Sequence, residues 1–113
     1  MRTILAPAKA LADESRLKIL WMLEGRTLCA CEIQAVLGLA QSTVSRHMQV
    51  LEDAGFVVSE RNGPWKEYRL NPAPPPFVQG LLAQVRLIGE GHPVAQEVRE
   101  RAARVSRENL CAA

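Results

Sequence analysis

The sequence has no segment that suggests a membrane or the secretory pathway. It contains no run of 18 apolar residues, and its N-terminus lacks a long apolar stretch followed by a small-residue cleavage site. It has only three cysteines, an odd number, and two of them are separated by a single residue, which argues against a disulfide framework. We therefore expect reduced thiols, a cytoplasmic protein and no membrane partner.

Catalytic patterns are also absent. There is no Ser-His-Asp arrangement, no paired carboxylates and no phosphate-binding loop, and the Cys-x-Cys spacing differs from the Cys-x-x-Cys of redox enzymes. We expect neither an enzyme nor a permanent cofactor. The net charge is only +2, so binding to nucleic acid would have to come from locally clustered charge. The length of 113 residues, 48% of them hydrophobic, suits one packed domain.

Hydrophobic periodicity predicts a mainly α protein with one small β-hairpin. Asp13 is a candidate N-cap, and Gly25 and Gly55 are candidate helix ends. The predicted helices cover residues 4–12, 13–24, 31–37 and 41–54.

The segment 41–54 has two different faces. Val44, Met48 and Leu51 recur at helical spacing, and the other face carries short hydroxyls, amides and an arginine, which suit the major groove of DNA. With the helix before Gly38, this predicts a helix-turn-helix motif. His47 lies at the margin of the apolar face, where packing and phosphate contact are equally expected. The candidate DNA-binding residues of this helix are Gln41, Ser42, Thr43, Ser45, Arg46, His47 and Gln49.

A hairpin is predicted directly after this helix. Residues 56–60 and 65–70 are rich in strand formers, and an Asn62-Gly63 turn lies between them. Arg61 and Lys66 fall near its tip. Basic hairpins of this kind lie along phosphates or in the minor groove, so we predict a DNA-binding wing.

The helix after the proline run 72–76 is too apolar for a free surface. Phe77, Leu81, Val85 and Ile88 form one stripe, and little of the domain remains to cover it. The expected cover is a second copy of the chain, and hence a homodimer. We divide the chain into a winged helix-turn-helix DNA-binding and dimerisation domain, residues 1–90, and a charged C-terminal helix or tail, residues 91–113.

Cys29 and Cys31 are candidate metal ligands. In the middle of a helix, side chains two residues apart point about 200° away from each other. At a helix start the first residue need not be helical, so both sulfurs can turn to one ion. The helix N-terminus also favours thiolate. The alternative is that these cysteines are small buried apolar residues. Cys111, near the C-terminus, is either an unassigned thiol or a further ligand.

Four segments resemble the ArsR/SmtB family of metal-sensing bacterial repressors. They are ALADESRLKIL (10–20), LCACEI (28–33), AQSTVSRHMQVLEDAGFV (40–57) and GPWKEYRL (63–70). The resemblance covers roughly residues 4–90. It implies a homodimeric winged helix-turn-helix repressor that leaves its inverted-repeat operator when metal binds. It further implies a dimer interface between the first helix and the helix after the prolines, with Ile4, Leu5, Ala8, Phe77, Leu81, Val85 and Ile88.

The resemblance also concerns the inducer. Arsenite-responsive members carry a third cysteine where this chain has Gln34, and an amide is a poor ligand for arsenic(III). Arsenic(III) or antimony(III) is the expected inducer, with cadmium or lead as alternatives. Two thiolates with an outside ligand, or Cys111 from the same or the partner chain, would complete the site. The zinc pattern that the family uses at its dimer interface is missing, since His92 has no partner histidine.

Two other functions remain open. The cysteine pair of a winged-helix regulator could sense oxidants or reactive sulfur through a disulfide between Cys29 and Cys31 or through Cys111. The chain could also be a DNA-binding protein whose cysteines sense nothing.

Overall fold

The computed structural model describes residues 1–106, which form six helices and a three-stranded sheet. The fold is mainly α with a hairpin, as predicted. In chain order the elements are α1 (Arg2–Leu11), α2 (Glu14–Met22), β1 (Leu28–Cys29), α3 (Ala30–Leu37), α4 (Gln41–Asp53), β2 (Val57–Asn62), β3 (Trp65–Leu70), α5 (Pro76–Gly89) and α6 (Pro93–Arg104).

The local signals identified in the sequence set the helix ends. Asp13 caps α2, because its carboxylate accepts a hydrogen bond from the Arg16 backbone N–H at 3.1 Å. Gly38 ends α3 with a φ of 69°, a left-handed conformation that glycine adopts without strain. Because Gly38 ends α3 in this conformation, the chain can turn directly into α4, as the helix-turn-helix motif requires.

The sheet has one strand more than predicted. β1 pairs antiparallel with β3, which also pairs with β2, giving the order β1-β3-β2. Leu28 lies opposite Tyr68, and Cys29 lies opposite Glu67. The two residues of β1 are too few to show strand periodicity, and their partners are about forty positions away. The loop of the hairpin is also shorter than predicted, since Asn62 already pairs with Trp65.

One hydrophobic cluster joins all six helices to the sheet. The apolar face of α4 is buried as predicted, with Val44, Met48 and Leu51 at most 1% exposed. Phe56 and Val57, at the start of the wing, are buried in the same cluster. The positions of α4 and of the hairpin are therefore determined by shared packing.

The region after residue 90 forms a packed helix as far as Arg104. Ala95, Val98 and Ala102 of α6 are buried in the common core. Arg99 donates hydrogen bonds to the Glu24 carboxylate at 2.5 Å and to the Gly89 carbonyl at 3.1 Å. This region was predicted as a charged helix or a tail, and residues 93–104 form a helix. The hydrophobic core also continues past residue 90, where the domain boundary was predicted.

The predicted stripe of α5 is divided between two surfaces. Val85 is 8% exposed and faces the subunit's own core, where its carbonyl accepts a hydrogen bond from the Trp21 indole N–H at 2.9 Å. Phe77 and Ile88 are 41% and 60% exposed, and Leu81 is half-buried. The assignment of Val85 to an outward interface was therefore wrong, because α2 already covers that side of α5.

α1 presents apolar side chains outward as well. Pro7 and Ala10 are buried, whereas Ile4, Leu5 and Ala8 are exposed. α1 also contacts α5, so the two helices that carry exposed apolar residues lie next to each other. Among the described residues, no helix is long and apolar enough to cross a membrane.

Candidate DNA-binding surface and thiol site

The polar face of α4 is open to solvent, as the sequence predicted. Arg46 and the polar side chains around it are exposed, while the opposite face of the helix is buried. An exposed helix with short hydroxyls at its N-terminal half can approach base edges closely. The exposed candidates on this face are Gln41, Ser42, Thr43, Ser45, Arg46 and Gln49.

Gln49 already has a partner within the helix. Its amide donates to the Asp53 carboxylate at 2.8 Å, an i,i+4 contact on the exposed side. The contact orients the amide along the helix axis.

His47 differs from the other candidates because it is half-buried. Its Nδ1 lies 3.2 Å from Nη1 of Arg16, a residue of α2. Arg16 also donates to the carbonyls of Ala10 at 2.7 Å and Lys9 at 3.1 Å, at the end of α1. Of the two alternatives for His47, the structure favours packing.

Sequence reasoning missed Arg16 as a residue that joins three helices. Its backbone N–H donates to the Asp13 carboxylate. Its side chain donates to the Ala10 carbonyl of α1 and is hydrogen-bonded to His47 of α4. Burial raises the pKa of Asp13, but the hydrogen bond from the Arg16 backbone N–H and the charge of the Arg16 guanidinium outweigh it and hold this pKa below its ordinary value. In the sequence, only the position of Arg16, three residues after the N-cap Asp13, pointed to this role.

The wing carries two basic residues directly opposite each other. Arg61 of β2 pairs with Lys66 of β3, and both are exposed. Lys66 Nζ lies 5.5 Å from the centre of the Tyr68 ring, a cation–π contact that holds the ammonium along the strand. Like charges opposite each other destabilise a hairpin, and a phosphate between them would relieve the repulsion.

The two cysteines meet at the N-terminus of α3. Cys29 is the N-cap residue, with extended backbone angles of −84° and 165°, and its Sγ lies 2.9 Å from Sγ of Cys31. The helix start brings the two sulfurs close together, as predicted, and their binding of one ion stays a prediction. Cys29 is 1% exposed, whereas Cys31 is half-buried.

Two opposing effects act on the pKa of Cys29. Burial raises the pKa of its thiol above the ordinary value, and the charge of Glu32 and its hydrogen bond to the thiol add to this effect. Backbone N–H groups of α3 act in the opposite direction but are outweighed. The helix N-terminus does favour the thiolate, as predicted, but burial exceeds this effect and the pKa of Cys29 lies above its ordinary value.

Cys31 opens onto a groove that it lines with Gln34, Ala35, Gly38 and Leu39. Within residues 1–106, no three His, Cys, Asp or Glu side chains are grouped closely enough to hold a metal ion. Cys111 lies outside the described residues. His92 caps α6 by accepting from the Val94 N–H at 3.2 Å, so it has a structural role.

Comparison with known proteins identifies the family. Residues 13–59 match the bacterial regulatory protein, arsR family. The chain is 40% identical over 90 residues to the arsenic resistance transcriptional regulator ArsR1 of Pseudomonas putida, covering 75% of this chain and 70% of that protein. It is 38% identical over 78 residues to the arsenical resistance operon repressor of Bacillus subtilis, covering 67% and 70%.

Solved structures agree with the fold. HlyU from Vibrio cholerae N16961 is 28% identical with a TM-score of 0.65, over 76% of this chain and 90% of that chain. The homodimeric winged helix-turn-helix DNA-binding domain of Mb0332 from Mycobacterium bovis is 28% identical with a TM-score of 0.65, over 80% and 82%. With a helix-turn-helix whose second helix, α4, has an exposed polar face, and with a basic hairpin, this chain belongs to the arsR family of bacterial regulatory proteins, which are DNA-binding transcription regulators and not enzymes.

Proposed function

We propose that this protein is a cytoplasmic, homodimeric repressor that leaves its operator when arsenic(III) or antimony(III) binds to Cys29 and Cys31. The observation that carries the proposal is the 2.9 Å contact between the two sulfurs, at the start of the helix that precedes the recognition helix. The names of the two relatives refer to arsenic and arsenical resistance, which supports the choice of inducer.

Thiol chemistry supports a soft inducer. Sulfur ligands prefer thiophilic ions to hard cations such as magnesium. With arsenous acid and with both cysteines in the reduced form, each thiol gives one arsenic–sulfur bond, one arsenic–oxygen bond breaks, and the thiol proton leaves with the hydroxide as water. No electron is transferred. Cadmium or lead would instead require both thiols to lose their protons to solvent, which is costly for the buried Cys29 with its raised pKa.

The third position on the ion has two candidate occupants. Cys111 of the same or the partner chain would supply a third thiolate, and a hydroxide or another outside ligand is the alternative. Gln34 lines the groove beside Cys31, so the open side of the pair is the side where the family pattern has its third cysteine.

DNA recognition is assigned to the exposed face of α4 and to the wing. Arg46 would read guanine or a phosphate, and Arg61 and Lys66 would bind phosphates. A dimer formed through the outward apolar residues of α1 and α5 would present two such surfaces to an inverted repeat. The proposed contacts are Gln41, Ser42, Thr43, Ser45, Arg46, Gln49, Arg61 and Lys66.

A second candidate function is sensing of oxidants or reactive sulfur. The same 2.9 Å separation favours it, since oxidation could join the two sulfurs. Intact mass after treatment separates the two functions. Arsenite adds arsenic and removes thiol protons, whereas peroxide removes two hydrogens or adds oxygen.

The test of the proposed function is operator release by arsenite. Operator fragments are first selected from random duplex DNA with arsenite-free protein. Anisotropy titrations then compare the parent with Cys29→Ser, Cys31→Ser and Cys111→Ser. We expect Cys29→Ser and Cys31→Ser to stay bound at arsenite concentrations that release the parent. Cys111→Ser shows whether the third thiolate is needed. Normal release by both Cys29→Ser and Cys31→Ser would disprove the proposed function.

A further inference from the structure

An arginine with a buried and unpaired N–H lies between α2 and the sheet. Nε of Arg26 is buried, and no atom of residues 1–106 accepts a hydrogen bond from it. Buried polar groups in native proteins are nearly always paired, and an unpaired group that carries a charge costs more than a neutral one. Arg26 therefore lacks an acceptor that a ligand could supply.

The turn after α2 fixes the position of Arg26. Gly25 has a φ of 70°, a left-handed conformation that glycine adopts without strain. The Arg26 backbone N–H donates to the Leu23 carbonyl at 3.3 Å and closes the turn. The carboxylate beside the turn, Glu24, is bound by Arg99, with 2.5 Å between its oxygen and Nη2. The acidic residue nearest to Arg26 in the sequence is thus already paired with another arginine.

A second arginine borders the same place from β3. Arg69 is exposed, and its guanidinium forms no ion pair with the described part of the chain. Leu28 of β1 pairs with Tyr68, so Thr27, one residue earlier, falls beside Arg69. A cavity of about 250 Å³ lies here, lined by Leu23, Gly25, Arg26, Thr27, Arg69 and Leu70. Two arginines and a threonine therefore border one small cavity.

The chemistry of these residues suits a small oxyanion. A guanidinium is always charged, carries five N–H donors in a planar fork and can bind two oxygens of a phosphate at once. Two positive groups beside one cavity repel each other, and an anion between them removes this repulsion. The cavity is smaller than the roughly 300–1,000 Å³ pockets that hold drug-sized ligands. Inorganic phosphate therefore fits it better than a nucleotide does.

We infer that Arg26, Thr27 and Arg69 form a binding site for a small tetrahedral oxyanion of the phosphate class. The two guanidiniums and the threonine hydroxyl donate hydrogen bonds to its oxygens. The bound ion joins the turn after α2 to β3 and so stabilises the attachment of the sheet to the helices. None of these three residues is proposed above to bind DNA or the inducer, so the site goes beyond the proposed function.

A free ion is favoured over a phosphate of the operator. Because Nε of Arg26 is buried, the continuous backbone of a DNA duplex cannot reach it, whereas a small ion can enter the cavity. Lys66, the wing residue proposed to bind DNA, lies three positions before Arg69 on β3, a distance of about 10 Å along the strand. The cavity is therefore a different place from the proposed phosphate contact of the wing.

The test is calorimetric titration of the full chain with inorganic phosphate, with chloride keeping the ionic strength constant. The variants are Arg26→Met and Arg69→Met, and Arg104→Met removes an exposed arginine elsewhere as the matched control. We expect the parent and Arg104→Met to bind phosphate with dissociation constants within about twofold, and the other two variants to bind at least about tenfold more weakly. If Arg26→Met fails to fold, Arg26→Lys replaces it, because lysine keeps the charge but lacks the planar fork.

Thermal unfolding gives a second readout. Phosphate should raise the unfolding temperature of the parent and not that of Arg26→Met, because a ligand of the folded state stabilises it. Without phosphate, Arg26→Met should unfold no earlier than the parent, since it lacks the buried unpaired donor. Absence of phosphate binding by the parent, or parent-like binding by both Arg26→Met and Arg69→Met, would overturn the inference. Weaker operator binding by Arg26→Met than by Arg104→Met in phosphate-free buffer would assign Arg26 to a DNA phosphate and would also overturn it.

Discussion

Arg16 and His47 are hydrogen-bonded across two helices, with 3.2 Å between Nη1 and Nδ1. The same guanidinium binds two carbonyls at the C-terminal end of α1, where the helix dipole favours a positive charge. Arg16 therefore connects the helix with exposed apolar residues, α1, to the recognition helix, α4. In a dimer, this connection would help to determine how far apart the two recognition helices lie.

Removing the acceptor at position 47 should weaken operator binding. We expect His47→Leu to lose affinity because the recognition helix is no longer held to Arg16, and a hydrogen bond to a charged group contributes about 1.5–3 kcal/mol. His47→Asn is the matched control, since its side-chain oxygen can still accept from Arg16. Anisotropy titration measures affinity, and thermal unfolding separates helix positioning from general destabilisation. Equal affinity for His47→Leu and the parent would contradict this role.

Arg46 should contribute directly to sequence recognition. We expect Arg46→Ala to weaken specific operator binding by about 1–3 kcal/mol, because an exposed arginine on this face can form a paired contact with guanine or phosphate. Arg104, an exposed arginine at the end of α6, provides the control, and Arg104→Ala should bind like the parent. Parent-like binding by Arg46→Ala would refute the proposed placement of α4 on DNA.

Two neighbouring residues of the predicted α5 stripe, Val85 and Ile88, should respond differently to a charge. Ile88 is 60% exposed, so Ile88→Asp should leave the subunit folded and shift sedimentation or light scattering toward monomer. Val85 is buried in the subunit, so Val85→Asp should lower the unfolding temperature by burying an unpaired charge. A stable dimer from Ile88→Asp would show that this end of α5 lies outside the interface.

Cys29 should be a slow nucleophile near neutral pH. Because burial raises the pKa of its thiol above the ordinary value of 9.0, the folded protein keeps a proton that the unfolded chain loses. Stability from this group is therefore fully present below about pH 9 and declines as the pH rises further. Iodoacetamide labelling of Cys29 should be slower in the folded protein than in urea. As a control, Cys29→Ser should lack this decline in stability at high pH. Rapid labelling of Cys29 in the folded protein at pH 7 would contradict the prediction that burial raises its pKa.

Some features followed from neighbouring residues alone. The N-cap at Asp13, the end of α3 at Gly38 and the apolar face of α4 depend on backbone conformation and on helical periodicity. The closeness of the two cysteine sulfurs also followed from local geometry, since only the residue before the first turn is free of helical angles.

Other features depended on contacts between distant parts of the chain. Helical periodicity placed Val85 and Ile88 on one stripe, but the packing of α2 against α5 buried one and left the other exposed. The pairing of Cys29 with Glu67 joins residues nearly forty positions apart, and a two-residue strand has no pattern of its own.

The amino-acid sequence by itself therefore determined the helices, the hairpin and the chemical character of the exposed face of α4 and of the cysteine pair, because these depend on side-chain type and local spacing. The tertiary structure decided that Cys29 shares a sheet with the wing, that Arg16 joins α4 to α1, and that burial raises the pKa of Cys29. Strand pairing, long-range hydrogen bonds and burial exist only when distant segments are brought together, so no local pattern encodes them.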